Sequence, residues 1–198
     1  MPFSLARDLM ESRRHVSPRR LIDPGPSDSQ ILAVLELASM APDHGRLNPW
    51  RFVIVPKEQR FRLSQVFAQS LLERDPLATK EQLEEAAQKA HRAPVLLVAV
   101  ARLGTREPNI DPLERMISMG AAVQNILLGA AALGYGSGLT SGKAMDSTAM
   151  RALLELEEGE RAICCINLGT IGQHAMSRGL RPSPLDYVRV LQPEPKDV

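Results

Sequence analysis

Cysteine is scarce in this chain of 198 residues, and its placement excludes most of what cysteine does. The two cysteines are adjacent, in Ala162-Ile-Cys-Cys-Ile-Asn-Leu168, a run that reads as a buried strand. Neighbours on a strand point to opposite faces, so Cys164 and Cys165 do not line one site or share one metal, and they read as small core residues. Four dispersed histidines give no ligand spacing such as His-Glu-x-x-His, with two histidines four positions apart on one helix face, so no metal site is expected. Neither sign of charge dominates. The 24 lysines and arginines face 23 acids, leaving a formal charge of +1, and the basic residues are interleaved with acidic ones instead of forming a stripe that would track a nucleic acid. The longest apolar window, 119–133, is broken by Gln124 and Asn125 and is too short to span a bilayer. The first residues carry charges throughout and lack the apolar core of a secretory signal, so the expectation is a cytoplasmic protein with no membrane partner. At 44% hydrophobic and 24% charged, the composition is that of a globular chain whose length suits one domain, 1–198.

What is present centres on Ala41-Pro-Asp-His-Gly-Arg-Leu-Asn-Pro-Trp50. Two prolines and a glycine lie here between a helical pattern and a strand pattern, so neither element continues through, and the stretch reads as a shaped loop in front of the buried run Arg51-Phe-Val-Ile-Val55. Such a loop presents functional groups from a fixed platform, or simply joins helix to strand with Trp50 as its anchor.

Upstream, Phe3, Leu5, Ala6, Leu9 and Met10 recur at helical spacing, and the pattern ends in Ser12-Arg-Arg-His15. The two arginines complete a helix dipole or form an anion site. Ser27 with Gln30 is a capping box that opens a helix to Ala38, and Thr79 with Gln82 is another that opens a highly charged helix to His91. Between them lies an amphipathic helix with Phe61, Leu63, Val66, Phe67 and Leu71 on its apolar face, interrupted at Asp75-Pro76. The charged helix is a solvated outer element or a flap over a pocket. The run 94–101 has the length and continuous apolarity of a central strand covered on both faces. Asp111-Pro-Leu-Glu114 starts a helix to Leu133 that is apolar nearly all round and must be buried inside the domain or against a second subunit.

The stretch 134–143, Gly-Tyr-Gly-Ser-Gly-Leu-Thr-Ser-Gly-Lys, fails as a Walker A loop and, following a long helix, fails as a dinucleotide fingerprint. It leaves a helix stop at Gly134, a short strand, and a turn whose glycines allow close approach to a flat ligand and whose hydroxyls, on Thr140 and Ser141, can bond to one. A short helix over 146–154 and a strand over 161–169 follow, giving an α+β chain around a mixed sheet.

In this order, Ser12-Arg-Arg14, Ala41-Pro-Asp-His44, Asn48-Pro-Trp50, the long buried helix, and Gly134-Tyr-Gly136 before Leu139-Thr-Ser141 resemble the nitroreductase family of FMN-dependent NAD(P)H oxidoreductases, in particular its compact YdjA-like branch. The resemblance covers nearly the whole chain. It implies a nitroreductase-like α+β fold, a central mixed sheet surrounded by helices, in an entwined homodimer with two FMN sites at the interface, each built by both chains. It further implies that Arg13, Arg14 and His15 hold the phosphate and pyrimidine end of FMN, that Met40 and His44 lie where the partner subunit closes over the flavin, and that Leu139, Thr140 and Ser141 form a strand edge along it. The chain departs from the pattern with His15 for serine, Asn48 for glutamine and Thr140 where relatives can have arginine, while Arg178 and Arg181 add cations in the tail. The implied activity passes hydride from NAD(P)H through FMN to a nitroaromatic, quinone or related acceptor in alternating half-reactions. The cofactor carries that chemistry, so no catalytic side chain is required, in keeping with a sequence that shows no nucleophile-base pair. A flavin enzyme with a dedicated substrate, or a flavin-binding protein without turnover, would share these features.

Overall fold

The computed structural model describes residues 2–104, 109–172 and 181–191; Arg178 lies outside them. Strand β5 (Glu160–Ile171) is the hub of the sheet, pairing with β3 (Val95–Arg102), β4 (Gly136–Thr140) and the short β1 (Leu21–Ile22), while β2 (Trp50–Ile54) extends the sheet from β3. All four pairings are antiparallel. The mixed character expected from the sequence comes from one parallel bridge, His15 to Ser137.

Strand β3 is buried along nearly its whole length, and its period-2 alternation divides the core in two. Leu97, Ala99 and Ala101 face helix α5 (Pro112–Ala132) with Cys164, whereas Leu96, Val98 and Val100 face α3 (Arg60–Arg74) and α6 (Thr148–Leu153) with Cys165. The cysteines thus sit in opposite cores, as read. Burial pushes the Cys164 thiol up to about 11 and, with its neighbour's help, Cys165 up to about 12, so neither forms a thiolate at neutral pH.

Both capping boxes form, at the starts of α2 (Asp28–Glu36) and α4 (Lys80–Gln88). At α5 the Asp111 carboxylate accepts from the Leu113 N–H, but Glu114 leaves the cap and reaches His44 instead. Helix α5 is not buried on every side: Leu113 and Ile117 are 74% and 71% exposed, and Gly120 extends this stripe at i, i+4, i+7 spacing. On α3 the apolar face centres on Leu63, Val66 and Phe67, and Phe61, two residues or about 200° from Leu63, points to solvent. The N-terminal pattern gives α1 (Phe3–Ser12), and the short α7 (Pro184–Tyr187) lies in the tail. Among the described residues, no helix is long and apolar enough to cross a membrane.

Two buried charges tie the ends of these elements together. Arg60 donates to the carbonyls of Val55, Ala90, Ala93 and Pro94, stapling α3 to the turn that enters β3. Glu160, at the start of β5, accepts a two-pronged pair of bonds from Arg51 at 2.9 and 2.8 Å, one from Arg102 at 3.3 Å and one from the Glu157 N–H at 3.2 Å. The Arg51 bonds hold its carboxyl down at about 2, against burial that works the other way. A depressed folded value means that this stabilisation is complete above the ordinary 4.5 and is lost as the pH falls toward about 2. Glu160→Gln is therefore expected to lower stability at pH 7 by on the order of 2 kcal/mol, and to flatten the acid limb of stability against pH in urea unfolding. An unchanged acid limb would refute this account.

Candidate functional site

The loop between α2 and β2 is shaped by its own strain. Ala41 and Trp50 are buried at its ends, and between them Gly45, Arg46 and Asn48 all have positive φ, at 74°, 53° and 48°. For the two non-glycine residues this costs about 1–2 kcal/mol each. The loop is held by the Asn48 N–H donating to Asp43 Oδ2 at 2.7 Å and by a 2.7 Å hydrogen bond between His44 Nδ1 and Glu114 Oε2. The other Asp43 oxygen, Oδ1, is buried with no partner among the described residues. His44 remains exposed, as does Met40.

The second part of the site forms where the chain leaves α1. Arg13 caps the helix and the backbone then extends, so that His15 bridges Ser137 and the Val16 N–H donates to the Ser137 carbonyl at 2.8 Å. Arg13 and Arg14 are half-buried, with no carboxylate partner among the described residues. The glycines of β4 are explained by this contact. A Cβ on Gly138 would lie 2.1 Å from the Val16 carbonyl oxygen, and one on Gly136 would strike Ile171, Leu21 and Val16. The close approach is made at Gly138 by the Val16 carbonyl and at Gly136 by Ile171 of β5 together with Leu21 and Val16, so these two strand glycines are accounted for by the chain's own packing. Gly142 is the glycine of this turn with open space where a Cβ would stand.

At the far end of β4, Thr140 Oγ1 accepts from buried Asn167 at 3.1 Å, and the same amide donates to the Gly138 carbonyl at 3.2 Å. Ser141 Oγ donates to the Ile163 carbonyl at 2.7 Å. Ile163 is the extra residue of a bulge, where β5 passes from Cys164 to Ala162 while β3 passes from Ala99 to Val100. Leu139 packs against the core on the α5 side. These side chains therefore brace the strand. What the strand offers outward is main chain: because the Ser137 carbonyl points away from β5, alternation turns the N–H and C=O of Leu139 outward too. Asn167 was missed by sequence reasoning, although an amide inside the apolar run Ile166-Asn-Leu168 was a usable signal.

Beside this turn lies a cavity of about 380 Å³, bounded by α3, by α4 with the turn that follows it, and by residues 140–145. The charged helix α4 thus forms a wall of a pocket. Arg74, Lys89, Arg92 and Lys143 line the cavity over a floor that includes Phe67, Leu96 and Cys165.

Of the residues predicted to form the site, His15 bridges Ser137 of β4, the strand that leads through Leu139 and Thr140 to Ser141, and Arg13 and Arg14 immediately precede that bridge in the same chain. His44 does not join them. It is bound at the first turn of α5, whereas β4 begins beyond the last turn of that 21-residue helix, about 30 Å long.

The sequence pattern of the Nitroreductase family matches residues 11–170, most of the chain and both halves of this arrangement. The chain belongs to the nitroreductase family. It is accordingly an oxidoreductase of the nitroreductase type. Proteins named "Putative NAD(P)H nitroreductase" are 32% identical to it over 165 residues in Haemophilus influenzae, covering 83% of this chain and 88% of that one. The Escherichia coli (strain K12) protein of that name, YdjA, is 28% identical over 183 residues, covering 92% and 97%. The fold likewise matches a crystal structure of a point mutant of the FMN and NADPH-dependent nitroreductase NfnB from sphigopyxis sp. strain HMH, with a TM-score of 0.74 at 19% identity over 93% of this chain and 97% of that one.

In this nitroreductase-family chain the contact between β4 and the N-terminal segment has no room for a methyl group. Gly138→Ala is expected to force the two apart and to lower stability by about 1–3 kcal/mol, read as a fall in the thermal midpoint. A midpoint equal to that of the parent would show that the segment does not depend on this contact.

Proposed function

We propose that the chain, as one FMN-binding domain over 1–198, is an FMN-dependent NAD(P)H oxidoreductase acting on nitroaromatic, quinone or related small acceptors. The observation that carries this is the docking of the segment after α1, which follows two arginines free of carboxylates among the described residues, onto the outward edge of β4 at Ser137, with a basic cavity at the other end of that strand. That donor set fits FMN. Arg13 and Arg14 offer fixed guanidinium donors for a phosphate, the edge at Leu139 offers main-chain donors and acceptors for a flat ring, and Gly142 leaves the turn open.

When bound, FMN supplies two-electron chemistry, taking hydride from NAD(P)H and passing electrons to the acceptor. The protein's part is to bind and orient. Asn167 fixes the strand edge through the Gly138 carbonyl and the Thr140 hydroxyl, and the Ser141 bond to Ile163 fixes the turn. The cations of the cavity favour negative charge that develops beside them, and as preorganised groups they need little rearrangement to do so. Donor and acceptor use the same open face in turn, a ping-pong order. His44, already hydrogen-bonded to Glu114, serves as a contact and not as a general base.

The site is completed, on this reading, by a second copy of the chain. Met40 and His44 are exposed, His44 at the end of α5 remote from β4, and the stripe of Leu113, Ile117 and Gly120 offers an apolar surface on the helix to which His44 is bonded. The fully competent form is then a soluble cytoplasmic homodimer with two sites.

The deciding experiment is the visible spectrum of the purified protein before and after anaerobic NADPH, with its mass in solution. A yellow dimer that bleaches supports the reading. A protein that keeps an oxidised flavin spectrum binds without turnover, and one that is colourless and takes up no added FMN overturns the proposal. Within it, Arg13→Ala is expected to weaken FMN binding by roughly 1.5–3 kcal/mol, measured by titrating apoprotein with FMN. Unaltered affinity would remove Arg13 from the phosphate site.

A further inference from the structure

The cavity beside β4 has a charge gradient built into two separate walls. On α3, Phe67, Leu71 and Arg74 recur at i, i+4, i+7, and on α4 and its continuing turn Ala86, Lys89 and Arg92 recur at i, i+3, i+6. Each row runs from apolar to cationic. Lys143 adds a fourth cation from the turn after β4, and no carboxylate lines the cavity among the described residues. The chain as a whole carries a formal charge of only +1, so this concentration of charge is local and is not a consequence of an overall basic composition.

These cations are only partly neutralised. Glu85, just outside the lining, is shared between Arg19 and Arg92. Lys89 and Lys143 have no carboxylate partner among the described residues. Burial, followed by the nearby Arg19, holds the Arg92 guanidinium below its ordinary range, while Glu85 opposes both. An apolar floor under cations that are only partly compensated suits a ligand with a planar body and an anionic substituent.

We propose that this cavity reads a negative charge on the small molecule that reacts at the site, a carboxylate or phosphate attached to a planar body. It rests on the flavin reading only in treating that molecule as a redox substrate. Two sources share this chemistry, an anionic acceptor and the 2′-phosphate of NADPH.

The test is calorimetric titration of the protein as purified with two matched pairs of probes, 4-nitrobenzoate against nitrobenzene and adenosine 2′-monophosphate against adenosine. The charged member of at least one pair is expected to bind at least about tenfold more tightly than its neutral counterpart. The double variant Lys89→Gln, Lys143→Gln should remove most of that preference. A charge-matched control, Lys57→Gln with Lys80→Gln, changes lysines outside the lining and should retain it. Loss of preference for 4-nitrobenzoate assigns the charge to the acceptor, and loss for the adenosine pair assigns it to the nicotinamide donor. Equal binding within both pairs, or a preference that survives the double variant, overturns the proposal. Charge discrimination in a protein that neither holds nor takes up FMN leaves the anion site standing and removes the flavin reading. A flavin protein bleached by NADPH without such discrimination does the reverse.

Discussion

The arrangement depends on the lodging of β4 between β5 and the segment at His15 and Val16. One side of the strand is paired with β5 over Gly136–Thr140, and the other accepts the Val16 N–H at Ser137. Two glycines make the second contact possible, since any side chain at Gly138 would meet the Val16 carbonyl. Asn167 completes the clamp, because a buried amide is costly unless satisfied and its two donors here hold the carbonyl of Gly138 and the hydroxyl of Thr140. Without this lodging, the segment that follows the arginines of α1 would not reach β4, and the basic cavity would lose the wall formed by residues 140–145.

How much of this was legible in the sequence follows the range of the interactions. The capping boxes at Ser27 and Thr79 are decided within four residues and form as read. The buried strands and the division of Cys164 from Cys165 follow from period-2 alternation, which a sequence displays directly. Where a distant partner competes with a local rule, the local rule fails. Glu114 stands at the capping-box position of α5 but bonds with His44, 70 residues away. Arg51 and Glu160, 109 residues apart, form the most perturbed carboxyl pair without any signature in either segment. Arg60 gave no hint that it would be buried, because its acceptors are backbone carbonyls and any residue type can carry those. The glycines of 134–143 were visible as places of close approach, but composition states that something comes close without stating what, and at Gly136 and Gly138 the chain itself fills that space.

The loop 41–50 and the first half of α5 pose one remaining energetic question. Arg46 and Asn48 hold left-handed backbone, and Asp43 Oδ1 is buried without a partner among the described residues, both unfavourable terms. Within the chain they are offset by the Asp43 to Asn48 bond, by the His44 to Glu114 bond and by burial of Trp50. These anchors fix the loop from behind and leave its outward groups unengaged. Met40, 67% exposed, and the imidazole of His44 face away from the core, as do Leu113 and Ile117 on the helix that Glu114 belongs to. A connection needed only to join α2 to β2 has no reason to adopt three left-handed residues and present an apolar and an imidazole side chain to water. In the homodimer we propose, the same cost is explained: the strain sets the loop in a fixed shape before association, so that less ordering entropy opposes its closure over the neighbouring chain's β4 edge.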